Sequence, residues 1–238
     1  KTYGLVRDER EVKNYFQSLE EISGLIRKSR GQLSLDLIGE CHSRLLDGLV
    51  ERDHLRMFRE VQNAVYDSGT GKLVYLPPEP GDVEALLKDL CSWINEAKAH
   101  PIVLSGIFHN QFVTIHPFVD GNGRAARFLS LFLLESRGYD WKEIVPVDRY
   151  YAADRGLYYR MLQQDYPHNY YEGRAKTDFT KWISYYVQGI KIVLEGTINQ
   201  VELYRTRNIL LNNRQSRILK HLENGKYVTT LDYAKRFH

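Results

Sequence analysis

His116-Pro117-Phe118-Val119-Asp120-Gly121-Asn122-Gly123-Arg124-Ala125-Ala126-Arg127 runs directly into Phe128-Leu129-Ser130-Leu131-Phe132-Leu133-Leu134. The second stretch is too apolar for a helix with a wet face, so it reads as a helix buried at the centre of a helical assembly. Gly138 is placed to be its C′ glycine. The polar stretch therefore sits at the N-terminus of a buried helix, where unpaired amides and the positive end of the helix dipole are concentrated.

Working outward, apolar residues recur at three- and four-residue steps before residue 66. Val12, Phe16 and Leu19 predict one helix, and Leu33, Leu37, Cys41, Leu45 and Leu46 predict another beyond a polar loop at 27–31. From Tyr66 the texture changes to Tyr66-Asp67-Ser68-Gly69-Thr70-Gly71-Lys72-Leu73-Val74-Tyr75-Leu76-Pro77-Pro78, two short β-type runs around a Gly-rich turn. A β-hairpin is expected there. Asp82 is expected to cap a helix carrying Val83, Leu86, Leu87, Leu90, Trp93 and Ile94, and a further helix runs from about Pro101 to Ile115. Another spans Phe179 to about Arg205, with Trp182, Ile183, Tyr186, Ile190 and Val193 inward. The fold class expected is all-α with one short hairpin.

The composition, 43% hydrophobic and 26% charged over 238 residues, excludes disorder as the main state and suffices for a sizeable core. No run of eighteen apolar residues and no signal-type leader occurs, so a membrane span is not expected and a cytoplasmic location is. Cys41 and Cys91 are too few for a disulfide scaffold and lack zinc-site spacing. A first residue of Lys rather than Met suggests a piece of a longer protein. Net charge is +3, but residues 205–238 hold eight basic against two acidic residues, leaving the remainder net negative. A basic tail on a near-neutral body suggests two modules with different partners.

The central loop carries the chemistry. Gly121 and Gly123 let the backbone turn its amides toward an anion, to which the following helix presents its positive end. Arg124 and Arg127 fall three apart on the first helical turns, and two guanidinium forks suit a polyphosphate better than a lone phosphate. Asp120 supplies one hard oxygen, enough for magnesium when phosphate provides the rest. His116 is placed as a general base for a hydroxyl nucleophile. Taken singly, Asp-Gly-Asn-Gly is commonly a turn and a lone histidine a cap. Base, metal ligand, glycine nest and two arginines within twelve residues are a different proposition.

The stretch from His116 to Arg127 fits the Fic signature HxFx[DE]GNGRxxR at every specified position. Met57-Phe58-Arg59-Glu60-Val61-Gln62-Asn63, Leu76-Pro77-Pro78 and Leu157-Tyr158-Tyr159-Arg160-Met161-Leu162 also resemble landmarks of that family. The resemblance implies a Fic-type helical bundle over residues 1–190, with a flap at 64–78 and the motif at 116–127. It implies protein adenylyltransfer (AMPylation), with ATP as co-substrate, Mg2+ as cofactor and a target protein's Ser, Thr or Tyr hydroxyl as acceptor. His116 would be the base and Asp120 the metal ligand. Gly121, Asn122 and Gly123 would bind phosphate oxygens, Arg124 and Arg127 the β- and γ-phosphates, and Tyr158 and Tyr159 the base of the nucleotide. Leu73, Val74 and Tyr75 of the flap would register the target by strand addition. A homodimer is a further partner considered.

Two departures bear on this. Val113 stands where the family often has an acidic residue. Many relatives also carry an inhibitory [ST]xxxE[GN] helix whose glutamate pairs with the second motif arginine, yet none of Glu172, Glu195 and Glu223 has Ser or Thr four residues earlier. The inhibitor would then lie upstream, on another chain, or nowhere; if nothing supplies it, Arg127 is expected to be free for the γ-phosphate. Beyond a connecting segment at 191–212, residues 213–238 resemble the start of the winged helix-turn-helix that follows Fic domains in many bacterial proteins, which would make DNA a partner. The alternative functions are a nucleotide-sensing DNA-binding regulator, or transfer of another phosphate-containing group from the same site. Doc-type relatives, which move the γ-phosphate, have lysine at the position of Gly123.

Overall fold

The computed structural model describes residues 2–66, 69–139, 147–164, 167–172 and 177–206. The order is α1 (Thr2–Ser29), α2 (Leu35–Leu45), a 3-10 turn (Arg52–His54), β1 (Val65–Tyr66), β2 (Leu73–Tyr75), α3 (Pro80–Glu96), α4 (Pro101–Ile115), α5 (Asn122–Ser136), α6 (Val147–Ala153), α7 (Arg155–Gln163) and α8 (Thr180–Thr206). Two compact units divide after Val193. Within the second, the described residues continue α8 from Leu194 to Thr206. The segment at 213–238 read as a partial winged helix, and residues 207–212 of the connecting segment, lie outside the described residues.

In the first unit α5 is the central helix, packed against α1, α2 and α4. Phe128, Leu129, Phe132 and Leu133 are fully buried on it, as its sequence predicts. Each such side chain contributes about 1.5–3 kcal/mol of transfer free energy. The helix stops in a Schellman arrangement: Gly138 (φ 92) donates to Glu135 O at 3.1 Å and Tyr139 donates to Leu134 O at 3.0 Å. The preceding helix α4 is buried over most of its length, and several of its polar side chains bond within the core. Ser105 bonds Ser130 O (2.9 Å) and Tyr186 Oη (2.7 Å), and His109 Nε2 bonds Tyr158 Oη (2.9 Å). Gly106 lets α8 approach, for a Cβ there would meet Ile183 Cδ1 at 2.8 Å, and Trp182 Nε1 donates to its carbonyl at 2.7 Å.

Two expectations need correction. Val12 and Phe16 are exposed, while Tyr15, Leu19 and Ile22 face the core. In a helix of 28 residues several apolar stripes compete, and the one that packs is chosen by the neighbouring helices. The N-cap of α3 is Glu79 rather than Asp82, because Pro80 at the first helical position already has the helical φ and needs no donor. Asp82 instead accepts a hydrogen bond from the Tyr171 hydroxyl. Trp93 lies on this helix as read from the sequence and is 47% exposed.

The expected hairpin is present: β1 and β2 pair antiparallel, Val65 opposite Tyr75 and Tyr66 opposite Leu73, with a bulge between. Tyr75 is buried, and its hydroxyl donates to Thr114 O at 2.8 Å, pinning the hairpin to the end of α4. Leu76 continues the outer edge of β2 by bonding His168 O (2.7 Å) and Tyr170 N (3.0 Å). No helix among the described residues is long and apolar enough to cross a membrane.

Candidate functional site

The loop between α4 and α5 is built by three constraints. His116, the C-cap of α4, takes a left-handed conformation (φ 52, ψ 60) that turns the chain sharply out of the helix. Gly121 is also left-handed (φ 80), and a Cβ on it would lie 2.5 Å from buried Leu46 Cδ2, so only glycine fits. Asn122 closes the loop: its Oδ1 accepts from Phe118 N at 2.9 Å and its Nδ2 donates to Phe118 O at 2.7 Å. The first helical bond of α5 is Ala125 N to Gly121 O, so the amides of Asn122, Gly123 and Arg124 point outward at the helix N-terminus.

His116, five residues before the glycine that caps α5, is half-buried. Its Nδ1 lies 3.1 Å from Val113 O, which accepts only if Nδ1 carries the hydrogen; Nε2 then holds the lone pair. Burial lowers the pKa of His116, and the positive charge of Arg59 lowers it further against the opposing pull of Val113 O and Asp120. The imidazole is therefore neutral near pH 7.

Asp120 is held on all sides. Its Oδ1 accepts from Gly121 N (2.6 Å) and Arg124 Nη2 (3.2 Å), and its Oδ2 accepts from Arg7 Nη2 on α1 (2.7 Å). Arg124 Nη1 meets Glu11 Oε1 of α1 at 3.1 Å. Arg127 is not free, contrary to the sequence expectation: its Nε is paired with Asp148 Oδ1 of α6, whose other oxygen accepts from Tyr15 Oη at 3.2 Å. Each charged side chain of the cradle thus has a partner from a distant helix, which a polyphosphate would have to replace.

Among the described residues no group of three or more His, Cys, Asp or Glu is arranged to hold a metal. Asp120 alone fits a hard cation only if phosphate supplies most of the ligands, and Arg7 must yield Oδ2 for this. Of the tyrosines singled out, Tyr158 is buried with its hydroxyl on His109, whereas Tyr159 is exposed. On the hairpin Leu73 is exposed, Val74 half-buried and Tyr75 buried.

Three residues without an assigned role in the sequence brace the loop. His42 of α2 stacks on Phe118 (centroids 3.7 Å, interplanar 9°) and bonds Asp120 O through Nε2 at 3.0 Å. Asn63 Nδ2 donates to Phe118 O at 3.3 Å. Arg59, 3% exposed, donates from its backbone N to Pro117 O at 2.9 Å and from Nε to His116 O at 2.9 Å. His42 is one turn along the apolar stripe of α2, and only a polar residue on that stripe hinted at it.

A Fic/DOC family profile matches residues 32–134. A protein adenylyltransferase Fic of Drosophila virilis is 36% identical over 135 residues, covering 56% of this chain and 25% of that protein. Its namesake in Aedes aegypti is 30% identical over 170 residues, covering 70% of this chain and 29% of that one. The chain spans between a quarter and a third of the length of these curated relatives. Among solved structures, a Fic family protein from Desulfovibrio desulfuricans G20 superposes with TM-score 0.66 at 22% identity, over 96% of this chain and 62% of that one. Fic-1 (aa134 - 508) from C. elegans gives 0.62 at 25% identity, over 84% and 53%. With the loop of His116 to Arg127 between its two buried helices, this chain carries a Fic/DOC family domain.

Proposed function

We propose that the chain transfers AMP from ATP to a hydroxyl of a target protein. The observation that carries this reading is a neutral His116 with Nδ1–H directed to Val113 O and Nε2 unprotonated, beside three outward amides of α5. Nε2 accepts the proton of the incoming hydroxyl; its oxygen bonds to the α-phosphorus, the bond from that phosphorus to the α,β-bridging oxygen breaks, and pyrophosphate leaves. The amide of Gly123, that of Gly121 once Asp120 Oδ1 releases it, and the two arginines receive the phosphates, with Arg124 and Arg127 exchanging Glu11 and Asp148 for the β- and γ-phosphates. Asn122 holds the loop in shape, since both ends of its amide bond Phe118. Asp120, together with the phosphates, would hold a magnesium ion, whose chemistry there would be to offset negative charge on the leaving pyrophosphate. Tyr159 is exposed for the nucleotide base, and Leu73-Val74-Tyr75 would register an extended target segment, with Val74 O released by His168 Nδ1.

The names of the insect relatives support this chemistry. Incubating the protein with Mg-ATP labelled at the α-phosphate, followed by mass spectrometry, tests it. Label in protein with the mass of one AMP is expected. Label only from the γ-phosphate would overturn it in favour of phosphotransfer, and binding without incorporation in favour of a nucleotide sensor.

A further inference from the structure

One buried charge beside the site has no part in the chemistry above. Arg59 lies in the extended stretch before the hairpin, and among the described residues no carboxylate forms an ion pair with it. Every contact of its guanidinium is with a main-chain carbonyl: Nε with His116 O at 2.9 Å, Nη1 with Val61 O at 3.3 Å, and Nη2 with Ile115 O at 3.5 Å and with Pro78 O. Its own backbone N–H bonds Pro117 O at 2.9 Å. A single residue therefore grips Ile115, His116 and Pro117 in succession, and also the residue that leads out of the hairpin.

The grip falls where the backbone needs support. Ile115 O and His116 O belong to the last turn of α4, whose carbonyls have no helical partner and attract a cation. His116 is a non-glycine residue at φ 52, a conformation that persists only where surroundings over-determine it. The rigid planar fork of arginine spans several carbonyls at once, as the point charge of lysine does not.

We propose that Arg59 is a positioning residue for the transfer reaction: by clamping the carbonyls of Ile115, His116 and Pro78, it fixes the catalytic histidine in its left-handed conformation and ties the hairpin to the same point. The inference rests on the reading of His116 as the base. Two charged groups act on the His116 ring, Arg59 from the extended stretch and Asp120 from the loop. Loss of the Arg59 charge removes an influence that disfavours protonation of His116.

The test uses Arg59→Gln and Arg59→Lys in the full chain, with transfer kinetics, ATP binding, and an NMR titration of the His116 imidazole in nucleotide-free protein. Arg59→Gln is expected to lower kcat by about 10- to 100-fold, the scale of a small misplacement of a reacting group, with ATP affinity within about 2-fold of the parent. The His116 titration should move upward in pH. Arg59→Lys, keeping the charge and losing the fork, should leave the titration in place and still lower kcat. Parental kcat in either variant would overturn the proposal, as would a loss confined to ATP affinity. If Arg59→Gln does not fold, Arg59→Lys decides by the same two readings. If His116→Ala retains transfer, it is the reading of the base that falls; the imidazole titration then still reports whether Arg59 governs His116, and an unmoved titration in Arg59→Gln would overturn the clamp by itself.

Discussion

Glu11→Gln should strengthen Mg-ATP binding. In the structure Glu11 Oε1 sits 3.1 Å from Arg124 Nη1, and Arg7 links the same carboxylate to Asp120. A triphosphate that engages Arg124 must first displace Glu11, so the strength of that pair is subtracted from the binding free energy. At this distance Coulomb's law gives roughly 1.3 kcal/mol in a water-like medium and several times more at protein-like permittivity. The side chains are 14% and 30% exposed, however, and desolvation and side-chain ordering cancel much of the attraction. Pairs open to solvent are worth about 0.2–1 kcal/mol, which corresponds to a Kd smaller by about 1.4- to 5-fold. Glutamine keeps the length and helix propensity of the side chain, so α1 itself is little disturbed. Calorimetric titration with a non-hydrolysable ATP analogue, at low and high salt, measures the change, and Glu9→Gln provides the same loss of charge on α1 without an ion pair to Arg124. Equal affinity for the parent and Glu11→Gln at low salt would refute the idea that α1 competes for the cradle.

Three further outcomes are expected. His116→Ala should reduce transfer by about 10²- to 10⁴-fold while ATP still binds, measured by single-turnover incorporation, and the acid limb of the parental rate profile should lie below the ordinary histidine range because burial lowers the pKa of His116. Burial lowers His109 to about 3, so the unfolded chain binds a proton that the folded one refuses. Its contribution to stability is complete above about pH 6.5 and is lost as pH falls toward the folded value, by at most about 1.4 kcal/mol per pH unit; denaturant titrations across that range should show a shallower acid slope for His109→Phe. Gly121→Ala should cost at least about 1–2 kcal/mol by calorimetry and weaken nucleotide binding, since the left-handed backbone is strained for alanine and Leu46 occupies the space of the added methyl; an unchanged Tm would contradict the packing described.

What could be read from sequence was what neighbours in the chain decide. Pro101 and the turn at His116 bound α4, and Gly138 closes α5, because caps and glycines act within a turn of where they stand. The loop from Asp120 to Arg124 was legible for the same reason, its chemistry being packed into consecutive residues. Contacts across the chain were not. Nothing local distinguishes Tyr15 and Ile22 from Val12 and Phe16 until α2 and α5 select one stripe of α1. Glu11 meets Arg124, and Asp148 meets Arg127, only because α1 and α6 pass over the site. A carboxylate partner sought by motif is therefore missed when a different acidic residue pairs with the arginine.

The ring closed by Asn122 on Phe118 has a consequence for how such a site can vary. Between Phe118 and Asn122 both ends of the loop are sealed, Phe118 is packed between His42 and Phe58, and Gly121 admits no side chain. Lengthening or shortening this ring by one residue would break both Asn122 bonds together. Val119, 54% exposed, is the one residue from His116 to Gly123 that projects freely into solvent. It is a blank tile in an otherwise fixed mosaic: its side chain can be exchanged, or used to carry a reporter, while the surrounding atoms stay where they are.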